Sequence, residues 1–368
     1  MRLSEFHYNL PLDLVAQYPL RFRDDAKMMV LHAKSNTIEH KNVKDIVDYF
    51  GEDDVMIFND TKVLPSKLKA TKEKTLASIS VFLQRDLGGE NNKFWDIQVQ
   101  PARKIRIGNK IFFDDDTNII AEVLDNTTSR GRTVRFLSDY QENFKEKLFA
   151  IGSMPLPDYV YRPLDGSDKK KYEKIFLDYP VKEMDFERFQ TIFAQKDGSI
   201  EAPMSALNVS KSMVAKLEIK GVKIGMLTSH IGLGLSKRIE VEDLYKHKIE
   251  ADPVVIDEKL VEQVNDSLKK RKRICMVGAE VARGIQQVAG LSGTIKQFDG
   301  WTNLFIFPPY QFVTMNAFLT SFYHPFSPKL MLTCAFGGYK QVMEAYETAV
   351  KKKYRFGVYG DSFLILDD

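Results

Sequence analysis

Cysteine is scarce in this chain. There are two, Cys275 and Cys334, far apart and each in an apolar context, which sets aside a disulfide framework or a thiolate metal centre and points to two buried thiols. No Cys-x-x-Cys or His-Glu-x-x-His pattern occurs, and His247 Lys248 Ile249 Glu250 is too sparse to be more than a surface pair. No metal site is therefore expected. A Gly-x-Ser-x-Gly elbow and a Walker lysine are missing as well, so the common hydrolase and kinase chemistries have no carrier. No apolar run approaches the roughly 20 residues of a membrane span, and the start, Met1 Arg2 Leu3 Ser4 Glu5 Phe6 His7, lacks the apolar core of a signal peptide. A cytoplasmic protein without membrane contact is expected. Strong charge of one sign is also lacking: the balance is +3, which by itself does not announce a nucleic-acid binder.

What the chain does have is periodic apolar sequence. Its 368 residues, 44% hydrophobic, can bury one large core or two smaller ones, and two domains are expected. After proline-broken segments come a strand-like stretch at 28–31, a helical one near 43–49, and the continuous apolar run Val55 Met56 Ile57 Phe58. That run reads as a fully buried strand, with Asn59 Asp60 Thr61 at its carboxyl end. From about Leu68 to Phe136 the texture changes to short alternating segments at 79–81, 95–99, 105–107, 111–113, 121–123 and 133–136. Gly108 Asn109 reads as a hairpin turn and Gly131 supports a meander, so a small all-β barrel is expected here. The expected boundaries are 68–149 for the inserted barrel and 1–67 plus 150–368 for a discontinuous α/β main domain.

Two prolines, Pro155 and Pro157, require extended chain after a helix that ends near Phe149, and the charged stretch 165–185 reads as a surface excursion. Val209, Met213 and Leu217 recur at helical spacing, with Asn208 placed to cap that helix and Gly221 to end it. Two strand, loop and helix units come next. Residues 222–228 run into Ser229 His230 Ile231 Gly232 Leu233 Gly234; after a helix capped by Asp257, residues 274–277 deliver Gly278 Ala279 Glu280 to a helix holding Arg283. Such alternation implies a mostly parallel sheet with helices on both faces. Ligands of these sheets bind beyond the carboxyl ends of the strands, which groups Asn59, His230, Gly278 and the loop from Thr320 around one crevice. In the last sixty or so residues, the apolar runs 304–307 and 330–332 read as two more buried strands serving that loop.

His230, just after a buried strand, is suited to act as general base or ligand donor; the competing role is to hold its own loop by hydrogen bonds. Glu280 at a helix amino end reads as a partner of the helix dipole. The basic runs at 269–273, 169–171 and 351–353 together offer phosphate contacts, while each alone reads as a solvated helix end. Pro101 Ala102 Arg103 Lys104 is either a basic contact from the barrel or a surface turn.

Taken in order, Asn59 Asp60 Thr61, Pro155 Leu156 Pro157, Arg188 Phe189 Gln190 Thr191, Ala202 Pro203, His230 Ile231 Gly232 Leu233 Gly234, Val277 Gly278 with Arg283, Phe305 Ile306, Ala335 Phe336, and Tyr354 Arg355 Phe356 with Tyr359 Gly360 Asp361 form a pattern. It resembles the S-adenosylmethionine:tRNA ribosyltransferase-isomerase family of queuosine synthesis along nearly the whole chain. The resemblance implies the same fold and a reaction in which the ribosyl part of S-adenosylmethionine moves to 7-aminomethyl-7-deazaguanine in the anticodon loop of tRNA. Adenine and methionine leave, and the ribose is rearranged into an epoxycyclopentanediol, giving epoxyqueuosine. S-adenosylmethionine is then a co-substrate, with no permanently bound cofactor. The implied roles are catalysis for His230 and Asp60. Substrate contact falls to Asn59, Thr61, Gln190, Ala202, Pro203, Gly232, Gly234, Gly278, Arg283, Thr320, Phe322, His324, Ser327, Arg355, Tyr359 and Asp361, and tRNA contact to Arg103, Lys270 and Arg271.

The chain departs from the family pattern at ligand-facing positions. Where the family reads Ala-Pro-Thr-Ala-Gly-Leu-His, this chain has Ala202 Pro203 Met204 Ser205 Ala206 Leu207 Asn208. Gly-Thr-Thr-Ser-Val-Arg becomes Gly278 Ala279 Glu280 Val281 Ala282 Arg283, and Thr-Asn-Phe-His-Leu-Pro becomes Thr320 Ser321 Phe322 Tyr323 His324 Pro325. Fold-setting residues are kept while polar ones change, so the chain reads as a divergent member. Two other readings stay open beside it: a related enzyme using a different acceptor, and a non-catalytic tRNA- or nucleotide-binding paralogue.

Overall fold

The computed structural model describes residues 1–368 except 74, 89–92, 114–117, 129, 138–142, 163–180, 233 and 237–238. Most of the charged stretch 165–185, the basic run 169–171 and Leu233 therefore lie outside the described residues.

The chain opens with strands β1 (Lys27–His32) and β2 (Thr37–Asn42), a 3-10 helix over Val43–Tyr49, then β3 (Val55–Asn59) and β4 (Thr61–Val63). Six strands come after them, β5 (Lys67–Lys72), β6 (Ser78–Gly88), β7 (Phe94–Gln100), β8 (Lys110–Phe112), β9 (Ile120–Asn126) and β10 (Gly131–Phe136). They close into an antiparallel barrel in the order β10-β7-β6-β5-β8-β9. Alternation supplies the reason: Leu68 and Ala70, Val81 and Leu83, Trp95, Ile97 and Val99 point inward and form a hydrophobic cluster with Phe144 and Leu148 of helix α1 (Phe144–Ala150). Residues 105–107 are not a strand. They form the turn into β8, with Gly108 at φ +80° and its N–H on Val123 O.

The remainder contains α2 (Val181–Arg188), β11 (Lys196–Ser199), α3 (Lys211–Ile219), β12 (Lys223–Ser229), β13 (Asp252–Ile256), α4 (Glu258–Lys269), β14 (Ile274–Val277), α5 (Ala279–Val288), β15 (Phe298–Thr302), β16 (Ala317–Ser321), α6 (Pro328–Gly337), α7 (Tyr339–Lys351) and β17 (Ser362–Leu366). A nine-stranded sheet runs β15-β13-β12-β3-β14-β16-β17-β1-β2. Its centre, β12, β3, β14 and β16, is parallel as expected, whereas its flanks pair largely antiparallel, which makes the sheet mixed. Both faces are buried. Met29, Val55, Ile57 and Phe363 pack on one side with α5 and α7 residues, and Met28, Val30, Met56 and Phe58 pack on the other with Met213 and Leu217 of α3.

Several expected elements are corrected. The run 304–307 lies in no strand; the strand of that region is β15, ending at Thr302. Residues 330–332 belong to helix α6. Ser327 caps it through its hydroxyl and Pro328 takes the first helical position, so a short apolar run that reads equally as strand or helix is settled by its cap. Thr320 is the penultimate residue of β16 rather than part of the loop. Helix α3 is capped by Ser210, whose hydroxyl accepts from Met213 N, while Asn208 donates to Gly360 O at 2.9 Å. Asp257 caps α4 and Gly221, at φ +82°, ends the turn after α3, both as read from the sequence. Cys275 and Cys334 are buried free thiols.

Candidate active site

The four parallel strands leave the sheet along one edge, at Ser229, Asn59, Val277 and Ser321, which sets His230, Asp60, Gly278 and Phe322 next to one another in strand order. The Asn59 amide extends the ladder between β3 and β12: it donates to Ser229 O at 2.8 Å and accepts from Ser229 N at 3.0 Å and Thr61 N at 3.1 Å. Asp60 accepts from Thr228 Oγ1 at 2.7 Å. Thr61 Oγ1 lies 2.8 Å from His230 Nδ1 and 2.7 Å from Ser199 Oγ. Gly198 lets the imidazole lie on the backbone, because a Cβ there would stand 2.6 Å from Nδ1. Burial lowers the His230 pKa against the opposing charges of Asp60 and Asp197, so the ring is neutral at pH 7.

The loop after His230 is held from behind. Gly232 N donates to Asp252 Oδ1 at 2.9 Å, and Arg283 Nη2 donates to Oδ2 of the same carboxylate. A Cβ on Gly234 would meet Glu250 O at 2.5 Å, so only glycine fits. Gly278, at φ +102°, turns β14 into α5, and its N–H donates to Leu319 O at 3.0 Å.

Between the chain that follows β12 and β16 and strands β5 to β7 of the barrel opens a cleft of about 880 Å³, whose lining takes in Gly232 and Tyr323 but not His230, Asp60, Gly278 or Phe322. Lys67, Lys69, Phe82, Gln98 and Arg130 form its barrel side; Ser153, Tyr159, Glu201, Met204, Gly232, Tyr323, His324, Ser327 and Lys329 are among those opposite. Within that wall Lys329 Nζ donates to Glu201 Oε2 at 2.6 Å, and the side chains are 6% and 16% exposed. Burial depresses the Lys329 pKa, but the charge of Glu201 outweighs it and holds the ammonium above its ordinary value. Tyr323 OH accepts from Thr320 Oγ1 at 2.9 Å and lies 3.2 Å from Ser205 Oγ. The His324 ring sits 4.2 Å from that of Tyr159, and burial lowers its pKa. Glu280 lies in the first turn of α5, as read from the sequence, and is buried behind the pair; burial pushes it up to about 7 against the pull of Lys329.

Of the residues expected to touch substrate, Gly232, His324 and Ser327 line the cleft, and Thr320 reaches it through Tyr323. Others are placed in supporting positions. Gln190 brackets Val63, accepting from its N at 2.9 Å and donating to its O at 2.8 Å. Ala202 and Pro203 are buried before the 3-10 turn Met204–Ala206. Phe322 is buried and stacks on Phe363 at 5.2 Å. Asp361 accepts from Lys27 N at 3.0 Å and Arg355 N at 2.8 Å, Arg355 Nη2 donates to Tyr18 O, and Tyr359 OH donates to Asp185 Oδ1 at 2.9 Å. Arg103 stands on the barrel with Lys72, Lys104 and Arg106 around a second cavity of about 570 Å³. Lys270 and Arg271 come just after α4; Lys270 pairs with Asp53 and Asp266 beside the start of β3, at the edge of the sheet opposite His230. Sequence reasoning misses Glu201, Lys329 and Tyr159. The signal available for Lys329 is its isolation as the single charge in the segment 328–337.

A parallel sheet core with an inserted barrel across a cleft is the arrangement in which α/β proteins bind ligands, with the site towards the carboxyl edge of the strands. The chain belongs to the family described as "Queuosine biosynthesis protein", whose family model matches residues 3–365. It is 49% identical over 368 residues to a Phocaeicola vulgatus protein named S-adenosylmethionine:tRNA ribosyltransferase-isomerase, with 100% of both chains covered. A Flavobacterium psychrophilum protein of the same name is 44% identical over 367 residues, again with 100% of each covered. The crystal structure of S-adenosylmethionine tRNA ribosyltransferase from Thermotoga maritima matches with a TM-score of 0.53 at 27% identity, covering 99% of this chain and 100% of that one. No helix among the described residues is long and apolar enough to cross a membrane.

Proposed function

We propose that this chain is an S-adenosylmethionine:tRNA ribosyltransferase-isomerase, which transfers the ribosyl part of S-adenosylmethionine to a 7-aminomethyl-7-deazaguanine base in tRNA and isomerises it to give epoxyqueuosine. The observation that carries this reading is full-length likeness to relatives of that name, at 49% identity with both chains wholly covered. The chemistry asks for a base to remove the acidic proton beside the sulfonium and for a pocket from which adenine and methionine depart. His230 is that base in this reading. With Nδ1–H given to Thr61 Oγ1, Nε2 remains a bare acceptor, and Asp60 supplies countercharge as the imidazolium forms. Asn59 and Thr61 fix the ring, Asp252 and Arg283 fix Gly232 and its loop, and His324, Ser327 and Tyr323 meet the ligand in the cleft.

Arg103 and its basic neighbours take phosphates of the tRNA, whose unstacked base enters between barrel and sheet. S-adenosylmethionine is consumed and needs no resident cofactor or metal beside it, and the protein works in the cytoplasm. Residues 68–149 are the inserted domain and 1–67 with 150–368 the main one, since the barrel has a hydrophobic cluster of its own. The test incubates the protein with S-adenosylmethionine and tRNA bearing the deazaguanine base. Adenine release that needs the tRNA and falls about 100-fold in His230→Ala is expected. Binding of both substrates without adenine release refutes the reading in favour of a binding protein.

A further inference from the structure

An ion pair taken out of water loses hydration that its own attraction does not always restore, so charge held in a cleft wall is a sign of use. Lys329 and Glu201 form such a pair, 2.6 Å apart and 6% and 16% exposed, and both line the cleft. Their charges cancel. A ligand group with one unopposed charge would leave either member uncompensated, whereas a zwitterion adds no net charge. The donors also count. Of the three N–H groups of Lys329, one goes to Glu201, a second approaches Met204 Sδ at 3.9 Å, and the third has no hydrogen-bond partner among the described residues, the ammonium standing 6.0 Å from the centre of the Tyr323 ring. The Glu201 carboxylate keeps lone pairs for an ammonium. In an α-amino acid the two charged groups share one carbon, a separation similar to that within this pair.

We propose that Lys329 and Glu201 form the subsite for the zwitterionic amino-acid end of S-adenosylmethionine, Lys329 taking the carboxylate and Glu201 the α-ammonium. This rests on the reading of the cleft given under Proposed function. Glu280 behind the pair is buried, and its carboxyl, pushed up to about 7, is protonated in the acidic range, so below neutral pH it leaves the charge balance of the pair intact. Lys329 is fixed on the first turn of α6, and Glu201 lies in irregular chain two residues past β11, which anchors the carboxylate end of the zwitterion to a helix and leaves the barrel side of the cleft for the nucleoside.

The test is calorimetric binding of S-adenosylmethionine and of its decarboxylated analogue, which keeps the sulfonium, the adenosine and the amine. The protein is expected to bind S-adenosylmethionine at least about 10-fold more tightly, the gain typical of a charge-assisted contact. The double variant Glu201→Gln with Lys329→Met removes both charges together, and in it the two ligands should bind equally. Retained discrimination in that variant overturns the proposal while leaving the proposed function standing. Failure of the unaltered protein to bind either ligand overturns both. Lys329→Arg keeps the charge and must keep at least part of the discrimination; if the double variant does not fold, loss of discrimination in this folded arginine variant overturns the proposal, and its retention supports it.

Discussion

Arg283→Met tests whether the loop carrying His230 is held electrostatically from behind. Arg283 and Asp252 have side chains 1% and 3% exposed and are joined by a hydrogen-bonded ion pair. The carboxylate also accepts the Gly232 N–H at 2.9 Å. Burial already raises the Asp252 pKa against Arg283, so removing the guanidinium leaves a charge with little to offset its lost hydration. Breaking one side of a buried pair costs about 3–5 kcal/mol. The net worth of the pair is smaller, because Arg283 Nε and Nη1 make no hydrogen bond among the described residues. Arg283→Met should therefore lose several kcal/mol in urea unfolding, and adding Asp252→Asn should restore about 2 kcal/mol or more. Equal stability of the single and double variants, or a single-variant loss below about 1 kcal/mol, would refute the electrostatic account.

The buried Glu280 carboxyl titrates near 7 in the folded chain and has an ordinary value of 4.5. Between those values the folded state holds a proton that the unfolded chain has released, so stability falls as pH rises through the window, by on the order of 3 kcal/mol in all. Glu280→Gln should match the unaltered protein below pH 4.5 and exceed it above pH 7; urea midpoints that run parallel across this range contradict the assignment. Phe322→Ala, which empties an aromatic cluster with Tyr346, Tyr354, Phe356 and Phe363, should cost about 3–5 kcal/mol in unfolding free energy. An undiminished midpoint with lost ligand binding would place Phe322 in the site instead. Each alanine at Lys72, Arg103, Lys104 or Arg106 that removes a phosphate contact should reduce the salt slope of tRNA affinity by about 0.7 to 0.9, whereas Lys270→Ala should leave it unchanged.

The barrel and the sheet core were legible because their signals are local. Period-2 alternation at 79–81 or 95–99 admits one reading, and the run Val55 to Phe58 is settled as a strand by its shortness and its polar flanks, Asp53 Asp54 before it and Asn59 Asp60 after it. Residues 330–332 do not: three apolar residues fit either period, and the decision lies in Ser327 and Pro328, which act as cap and first helical residue only if the chain beyond them is helical. The antiparallel flanks were hidden because strand direction is a long-range property; β16 and β17 are adjacent in space and separated by two helices in sequence. Residues adjoining strand ends follow from topology, which is why His230 and Asn59 could be placed at the carboxyl edge of the sheet from the sequence. Tyr159 and Glu201 come from irregular chain, and they reach the cleft only because of how the barrel and sheet edge meet. Phe322 and Asp361 illustrate the converse: each lies in a motif-like stretch, yet one fills the core and the other ties two backbone N–H groups.

Transfer of ribose-derived carbon to tRNA is the reaction on which the functional assignment stands. The direct measurement is mass spectrometry of nucleosides from tRNA bearing the aminomethyl deazaguanine base, after incubation with the protein and S-adenosylmethionine. Loss of that nucleoside and appearance of epoxyqueuosine are expected, with adenine and methionine released in equal amounts. An unchanged nucleoside profile from folded protein that binds both substrates contradicts the assignment.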